Sequence, residues 1–442
     1  MESNDEIHQD LPRWARSSGV ELNGIEPCAI PGRGTGIVAT RDIRAGEKVM
    51  RVPENMLYSL GSVSASSISA KLPPDMPLHG LLAADLALRS GTDHHPPPLP
   101  SAWLRALPSE EDFGACMPFM WPAALQELLP AAAKSVLKSQ QAKFERERDA
   151  VVAAAFPDTD DDFLLLLEKK FRYFWFVVNT RSFFHETPEM AARYGCCGLE
   201  WVDKLCLVPA ADLFNHDSSS SSEGEGGGEG GGCCCAVTWW DGDGYTVTAD
   251  RDYAAGEELC ISYGRHANDF LLVEYGFTVP NNGHDVVGLD DVLLPRLADQ
   301  ALAERDLGGG FRLHPHKGPC KRTREAVALI LHLEQTTVED DEVVGDDDGD
   351  EDFEDYDDDD DDDNDDEDYE DMTGKKDDPT FKSFFQDVLL KDLLALADER
   401  LERLRRYEQG EGANTITHQS ILILVQRWEQ IGRIVRTWAA VE

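Results

Sequence analysis

Residues 207–217 read LVPAADLFNHD, an apolar run that ends in two hydrogen-bonding side chains. Asn215 can donate and accept at once, and His216 adds a polar ring at the same corner. Such a corner can grip a polar ligand through the amide and the adjacent backbone, although an ordinary turn uses Asn equally well. Asp212 stands three residues before Asn215, where it can cap the corner or face a cationic group. Arg181 closes a strongly apolar segment, and a guanidinium there needs an anion or a route to solvent. The carboxylate of a small ligand would serve, and so would a surface ion pair. The stretch PGRGTG, residues 31–36, has the glycines that let backbone approach a ligand closely, and a structural turn has the same composition. It does not fit the dinucleotide fingerprint, because no helix with the right spacing follows. Tyr263 ends the apolar segment EELCISY. A buried tyrosine hydroxyl needs a partner, which can be a reacting group or another part of the fold. Tyr275 and Phe277 follow in EYGF after a short helical stretch.

The elements that must position these residues alternate in kind. Residues 20–60 carry strand-like segments, TGIVATRDI and EKVMRVP, around the turn signal RAGE. From about 62 to 178 apolar residues recur at three- and four-residue spacing in PLHGLLAADLALRS, PAALQELLPAAAKSVLKSQQAKFERERDAVVAAAF and DDFLLLLEKKFRYFWFVVNTRSFF, which predicts helices. The aromatics of FRYFWF are expected to be core, and HHPPPLP an extended link. Strands return over 199–262, in LCLVPAADLF, CCCAVTWW, GYTVTADRDY and EELCISYG. The tract SSSSSEGEGGGEGGG interrupts them as a flexible loop tip. After Tyr275 the periodicity is helical again, in LPRLADQALAERDL, TREAVALILHLEQTT, FKSFFQDVLLKDLLALADERLERLRRYEQ and ITHQSILILVQRWEQIGRIVRTWAAV. Neither strand block is large enough alone, so the two are expected to form one β domain around a helical insert.

A chain of 442 residues, 41% of them hydrophobic, can hold two or three domains and a sizeable core. Its net charge of −44 is unevenly spread: 25 of the 33 residues from Glu339 to Asp371 are Asp or Glu, and the remainder carries −19. An acidic protein should avoid nucleic acid phosphates and suits a basic protein partner. The acidic segment cannot bury a core and repels itself, so disorder is expected there, as a solvated linker or a dock for a basic tail. The opening MESNDEIHQDLPRW lacks the apolar stretch of a leader. No apolar run approaches the about 20 residues that span a bilayer, since Lys169, Lys170 and Arg172 interrupt FLLLLEKKFRYFWFVV. The ten cysteines show no paired framework, and Cys233–Cys234–Cys235 is too tight for ordinary zinc spacing, so no metal is expected. Reduced thiols fit the cytoplasm or nucleus.

Each of these features is ordinary by itself, but their order is specific. A GxG turn, a helical insert, an Arg-containing segment, an Asn-His corner, GEEL…YG and then YGF resemble a SET-domain protein-lysine methyltransferase. The resemblance is closer to the subclass typified by the Rubisco large-subunit lysine methyltransferase and its fungal and animal relatives. It covers about residues 20–280, and the helical C-terminal region is similar to that subclass's substrate-binding domain. The CxC zinc motif that follows the SET domain in many histone enzymes is missing, which fits this subclass.

The resemblance implies an α+β fold. An N-terminal extension (1–19) precedes a β-rich SET domain (20–280) with a helical insert (about 62–178) and a flexible loop (218–232). An all-α C-terminal domain (281–442), interrupted by the acidic segment 339–373, completes it. The resemblance also implies S-adenosylmethionine as cofactor. Arg33, Gly34, Thr35 and Gly36 would line its methionine part, and Arg181 would meet its carboxylate. Asn215 and His216 would hold the amino group and the adenine edge, with Phe277 packed on the adenine. Tyr263 would be the catalytic tyrosine and a cofactor contact. Thr180, Asp212 and Tyr275 would shape the substrate-lysine side, Thr180 standing where the family often has Ser. The implied activity is lysine methylation of a non-histone protein, with a ribosomal protein as first expectation and a monomeric enzyme as default. The alternatives are a protein-histidine methyltransferase and an inactive acidic scaffold for basic proteins. No nucleic acid or membrane partner is expected.

Overall fold

The computed structural model describes residues 4–64, 72–73, 76–90, 99–155, 161–184, 204–217, 236–238, 244–297, 307–339, 379–408 and 415–439. The Pro-rich link at 94–98, the loop 218–232, Cys233–Cys235 and the acidic segment from 340 to 373 lie outside the described residues. The chain divides into two compact units, one of residues 1–129, 133–285 and 410–424, the other of 130–132, 286–409 and 425–442.

The first unit carries two four-stranded sheets and a two-stranded ladder. Strands β1 (Glu21–Leu22), β2 (Ile25–Ile30), β3 (Gly34–Ala39) and β4 (Lys48–Pro53) come from the first strand block. The second block supplies β5 (Ser182–Phe184), β6 (Leu205–Leu207), β7 (Asn215–His216), β8 (Ala236–Thr238), β9 (Gly244–Thr248) and β10 (Glu258–Ile261). The sheet orders are β1-β4-β9-β8 and β2-β3-β10-β7, so each sheet joins two strands of the first block to two of the second. Alternation along β3 and β4 puts Ile37, Ala39, Met50 and Val52 into one core. Most pairings are antiparallel, but β7 lies parallel to β10, with Asn215 opposite Cys260 and His216 opposite Ile261.

Two segments differ from the sequence reading, each for a local reason. LCLVPAADLF is buried throughout but is not one strand. Pro209 has no N–H to give a ladder, and Ala210 takes the left-handed conformation, φ 67°. A 3-10 turn, Ala211–Leu213, then delivers β7. The helix that ends NTRSFF stops at Arg181, and Ser182–Phe184 pair with β6 instead. The strand partner lies more than 20 residues away, beyond the reach of local periodicity.

Residues 4–17 form helix α1 (Asn4–Ser17), which buries Leu11 and Ala15 in the same core. The insert contributes α2 (Leu78–Arg89), α3 (Ala131–Ala155) and α4 (Asp161–Arg181), and α5 (Asn268–Tyr275) follows β10. Helix α2 is apolar nearly all round and buried from Leu78 to Ala87, as such a helix must be. The FRYFWF aromatics are core: Phe171, Phe174, Trp175 and Phe176 are buried, and Phe144 meets Trp175 edge-on at 5.5 Å.

One polar pair sits among these rings. His79 Nδ1 lies 3.2 Å from Glu147 Oε2, and Trp175 Nε1 donates to the same oxygen at 2.8 Å. Burial is the main influence on His79 and lowers its pKa from 6.5 to about 4, although Glu147 opposes the shift. The unfolded chain therefore binds the His79 proton between these two values and the folded chain does not. The stabilisation is complete above about pH 6.5 and is lost as pH falls toward 4, by about 3 kcal/mol from this residue. His216, also lowered to about 4 by burial, adds in the same direction. Urea unfolding at pH 7.5 and pH 5 is expected to show about 2 kcal/mol of this loss from His79, and His79→Gln should reduce the slope with pH. An unchanged slope in the variant would count against the buried neutral imidazole.

The second unit holds a small antiparallel sheet of β11 (Val287–Gly288), β12 (Arg312–His314) and β13 (Gly318–Pro319). Its helices are α6 (Lys321–Glu339), α7 (Lys391–Glu408) and residues 425–439 of α8 (Thr415–Ala439). A π-helical stretch, Phe385–Leu390, joins the helix Pro379–Phe384 to α7. The unit is mainly helical, as the periodicity predicts. Strands of two or three residues leave no alternating pattern to detect, so the sheet is an addition to that expectation. Among the described residues no helix is long and apolar enough to cross a membrane.

Candidate functional site

The parallel β7–β10 pair places Asn215 and His216 beside the end of β3. Asn215 Nδ2 donates to Glu258 Oε1 at 2.8 Å. Arg33 Nη1 donates to the other oxygen, Oε2, at 2.8 Å, and its Nη2 reaches the main-chain oxygen of His216 at 2.6 Å. Arg33 thus clamps the corner. The glycine at 36 is required by this crowding. A Cβ there would lie 2.7 Å from Glu258 Oε1 and Ile30 Cγ1, and 2.8 Å from Asn215 Nδ2. Gly36→Ala is expected to cost about 1–3 kcal/mol through overpacking, read as a lowered unfolding midpoint. Gly34 differs: its φ of 73° suits glycine, and the space where a Cβ would go is open. Thr35 lies between them, opposite Ala29 in the β2–β3 ladder.

His216 is 5% exposed, and its Nδ1 accepts from the Tyr263 N–H at 3.1 Å. In the neutral ring the proton therefore sits on Nε2. That nitrogen is buried and has no hydrogen-bond partner among the described residues. Burial keeps the ring neutral by lowering its pKa to about 4. The Tyr263 hydroxyl donates to the Phe214 main-chain oxygen at 2.7 Å. Burial pushes its pKa well up, and the charges of Arg181 and Asp212 both reach it.

Arg181, at the end of α4, donates from Nη1 to the Asp212 main-chain oxygen at 2.7 Å and to Oδ2 at 3.3 Å. Its Nε is buried with no partner among the described residues. The Asp212 side chain is 0% exposed. Its two oxygens accept from Trp103 Nε1 at 3.2 and 3.1 Å. The carboxylate faces Trp103 and Arg181 and offers no open face to a cation. The Thr180 hydroxyl is turned back onto its own helix, donating to Phe176 O at 2.8 Å.

Aromatic rings form the remaining wall. Tyr263 lies 5.1 Å from Tyr275 and 6.1 Å from Phe277 between ring centroids, and His216 lies 5.9 Å from Phe277. Burial pushes the Tyr275 phenol up to about 12. The EYGF sequence has a geometric reason. Gly276 ends α5 in the left-handed conformation at φ 82°, and Phe277 N–H then bonds back to Leu271 O at 3.4 Å. This turn brings Phe277 back beside Tyr275. Amide side chains from the insert fix the same helix end. Gln140 Nε2 donates to Val273 O at 3.1 Å and Glu274 Oε2 at 2.9 Å, while Asn179 Nδ2 donates to Glu274 O at 2.9 Å and Oε2 at 2.8 Å. Two otherwise orphaned carbonyls of α5 are satisfied in this way.

The structure therefore brings Arg33, Gly36, Asn215, His216, Tyr263, Tyr275 and Phe277 together, with Arg181 and Asp212 alongside. Glu258, Trp103, Gln140, Asn179 and Glu274 were not foreseen as site residues. Glu258 lies inside the GEEL motif and carried a visible signal there. Trp103 carried none, since nothing local marks an indole whose partner is 109 positions away. The arrangement offers an anion site at Arg181 Nε, a donor at His216 Nε2 and an apolar aromatic wall that holds neutral groups.

A family model described as SET domain matches residues 34–264. The ribosomal lysine N-methyltransferase set11 of Schizosaccharomyces pombe is 24% identical over 289 residues, 65% of this chain and 65% of that protein. SET domain-containing protein 4 of Homo sapiens is 24% identical over 295 residues, covering 65% of this chain and 61% of that one. The actin-histidine N-methyltransferase of Canis lupus familiaris is 26% identical over 303 residues, 64% of this chain and 45% of its own. The matches thus span less than two thirds of the length of these curated relatives. Among solved structures, the SET domain of LSMT bound to lysine and AdoHcy aligns with a TM-score of 0.53 at 15% identity, over 98% of this chain and 92% of that one. Rubisco LSMT bound to AdoMet aligns with a TM-score of 0.53 at 14% identity, again over 98% and 92%. At these identities the structural likeness is one of fold.

Proposed function

The chain belongs to the SET-domain family, and from that premise we propose that it transfers methyl groups from S-adenosylmethionine to a lysine side chain of a non-histone protein. One observation carries this reading. Two buried polar groups, Arg181 Nε and His216 Nε2, lack partners among the described residues in the neighbourhood of an aromatic wall. A ligand with a carboxylate and a hydrogen-bond-accepting base answers both. The residues present fit S-adenosylmethionine on these grounds.

When bound, the cofactor supplies a methyl carbon made electrophilic by a cationic sulfur. Arg181 would hold its carboxylate, and Gly34, Thr35 and Gly36 its methionine part. Asn215 and His216 would hold the amino group and adenine edge, with Phe277 against the adenine. Arg33 and Glu258 would keep the Asn215–His216 corner in place. A free lysine has a pKa near ~10.4 and arrives mostly charged. The walls of Tyr263, Tyr275 and Phe277 disfavour the ammonium by desolvation, so the proton is lost to water and the neutral amine remains. Tyr263 would orient that amine. Its hydroxyl proton is committed to Phe214 O, and its raised pKa keeps it a phenol rather than a base. Tyr275 would form the lysine-side wall, with Thr180 near the channel.

The acidic balance of the chain suits a basic substrate, and the likeness to a ribosomal lysine methyltransferase favours a ribosomal protein. A cytoplasmic or nuclear location and a monomeric enzyme complete the proposal. The free cysteines among the described residues, Cys28, Cys116, Cys206, Cys260 and Cys320, are in keeping with a reducing compartment. Histidine methylation is the second reading, because actin-histidine methyltransferases are among the relatives.

The test is to incubate the full chain with isotope-labelled S-adenosylmethionine and purified ribosomal proteins, then map the label by mass spectrometry. Label on a lysine Nζ supports the proposal. Label on an imidazole nitrogen replaces it with the histidine reading. A chain that binds neither S-adenosylmethionine nor S-adenosylhomocysteine, yet retains basic proteins, is the acidic scaffold instead.

A further inference from the structure

Trp103 lies on the short helix Ser101–Leu104, is 2% exposed, and has its indole N–H directed at one carboxylate. It donates to both oxygens of Asp212, at 3.2 and 3.1 Å. Burial pushes the Asp212 carboxyl up, while Arg181 and the indole pull it down. A buried carboxylate that loses a donor takes up a proton or shifts toward water. Either change would break the two-point hold on Arg181 Nη1, which Asp212 receives on its main-chain oxygen at 2.7 Å and on Oδ2 at 3.3 Å, by removing the Oδ2 contact. That bond commits one edge of the planar guanidinium, and planarity then fixes the direction of the unpartnered Nε. A phenylalanine would fill much of the same apolar space. The indole nitrogen therefore adds something that packing alone does not.

We propose that Trp103 is a positioning residue for cofactor binding: acting through Asp212, its N–H holds the Arg181 guanidinium so that Nε stays open to an anionic ligand. The proposal rests on the reading of Arg181 as the partner of the cofactor carboxylate. It gives Asp212 the work of orienting Arg181 in place of facing a substrate cation. It also ties the cofactor site to the helical insert, since the donor stands on an insert helix.

The experiment is calorimetric titration of the full chain with S-adenosylhomocysteine, in wild type, Trp103→Phe, Asp212→Asn and the double variant, with thermal unfolding of each. Trp103→Phe is expected to weaken binding about tenfold, the value of one hydrogen bond to a charged group. Asp212→Asn should weaken it as well, and adding Trp103→Phe to Asp212→Asn should cost little more, because both act along one path. A purely structural tryptophan would lower the unfolding midpoint and leave the affinity of the folded protein unchanged. Binding by Trp103→Phe within about twofold of wild type, or losses that multiply in the double variant, would overturn the proposal. If Trp103→Phe does not fold, Asp212→Asn decides alone, since it keeps the indole and the volume. Wild-type affinity in that folded variant would also overturn it. No binding by the wild-type chain would instead remove the cofactor reading itself, and this proposal with it.

Discussion

Tyr263→Phe is expected to lower methyl transfer by about 100-fold or more while the protein still folds and binds S-adenosylhomocysteine. The variant keeps the ring, and with it the contacts to His216, Tyr275 and Phe277. It removes the hydroxyl that donates to Phe214 O at 2.7 Å. A carbonyl left without its donor costs about 1–3 kcal/mol, so the unfolding midpoint should drop by a few degrees without loss of the native state. The larger effect falls on turnover, because an amine without its orienting oxygen samples unproductive approaches to the methyl carbon. Single-turnover rates on the mapped substrate, beside calorimetric affinity, separate the two. A Tyr263→Phe enzyme with wild-type turnover would remove Tyr263 from the reaction.

Arg181→Leu is expected to act on binding and stability together. Loss of the guanidinium removes the anion site, and S-adenosylhomocysteine affinity should fall by about 100-fold, as for a charge-assisted contact in a dry site. It also leaves the Asp212 carboxylate buried without its cationic partner, with the Trp103 indole still donating to it. Breaking a buried pair in this way costs about 3–5 kcal/mol. Combining Arg181→Leu with Asp212→Asn should restore much of that stability and none of the affinity. Urea unfolding and calorimetry on the same preparations test both halves. Recovery of affinity in the double variant would mean that Arg181 does not contact the ligand.

The sequence carried the site more fully than it carried the way the site is braced. Asn215, His216, Arg181, Tyr263, Tyr275 and Phe277 were legible because their motifs are short and ordered. Gly36 and Gly276 were legible as motif members, but their reasons are spatial: the first sits against Glu258 and Asn215, the second reverses the chain after α5. The braces were silent because each joins distant positions. Trp103 with Asp212, Arg33 with Glu258, and Gln140 with Glu274 are separated by 109, 225 and 134 residues. No local pattern encodes such a partner. The same limit hid β5, β7 and the β11–β13 sheet, whose strands are too short for a period to show and exist only because another strand lies beside them.

The parallel pairing of β7 with β10, clamped by Arg33 on Glu258, also bears on how the molecule comes into being. The Arg33–Glu258 contact, between positions 225 apart, must await the closing of a very long loop, and such contacts form slowly. The helical aromatic cluster, built from nearer neighbours, is suited to nucleate earlier. Weakening the Arg33–Glu258 clamp should then accelerate unfolding more than it retards refolding, because this long-range contact at the corner is a late arrival on the folding path.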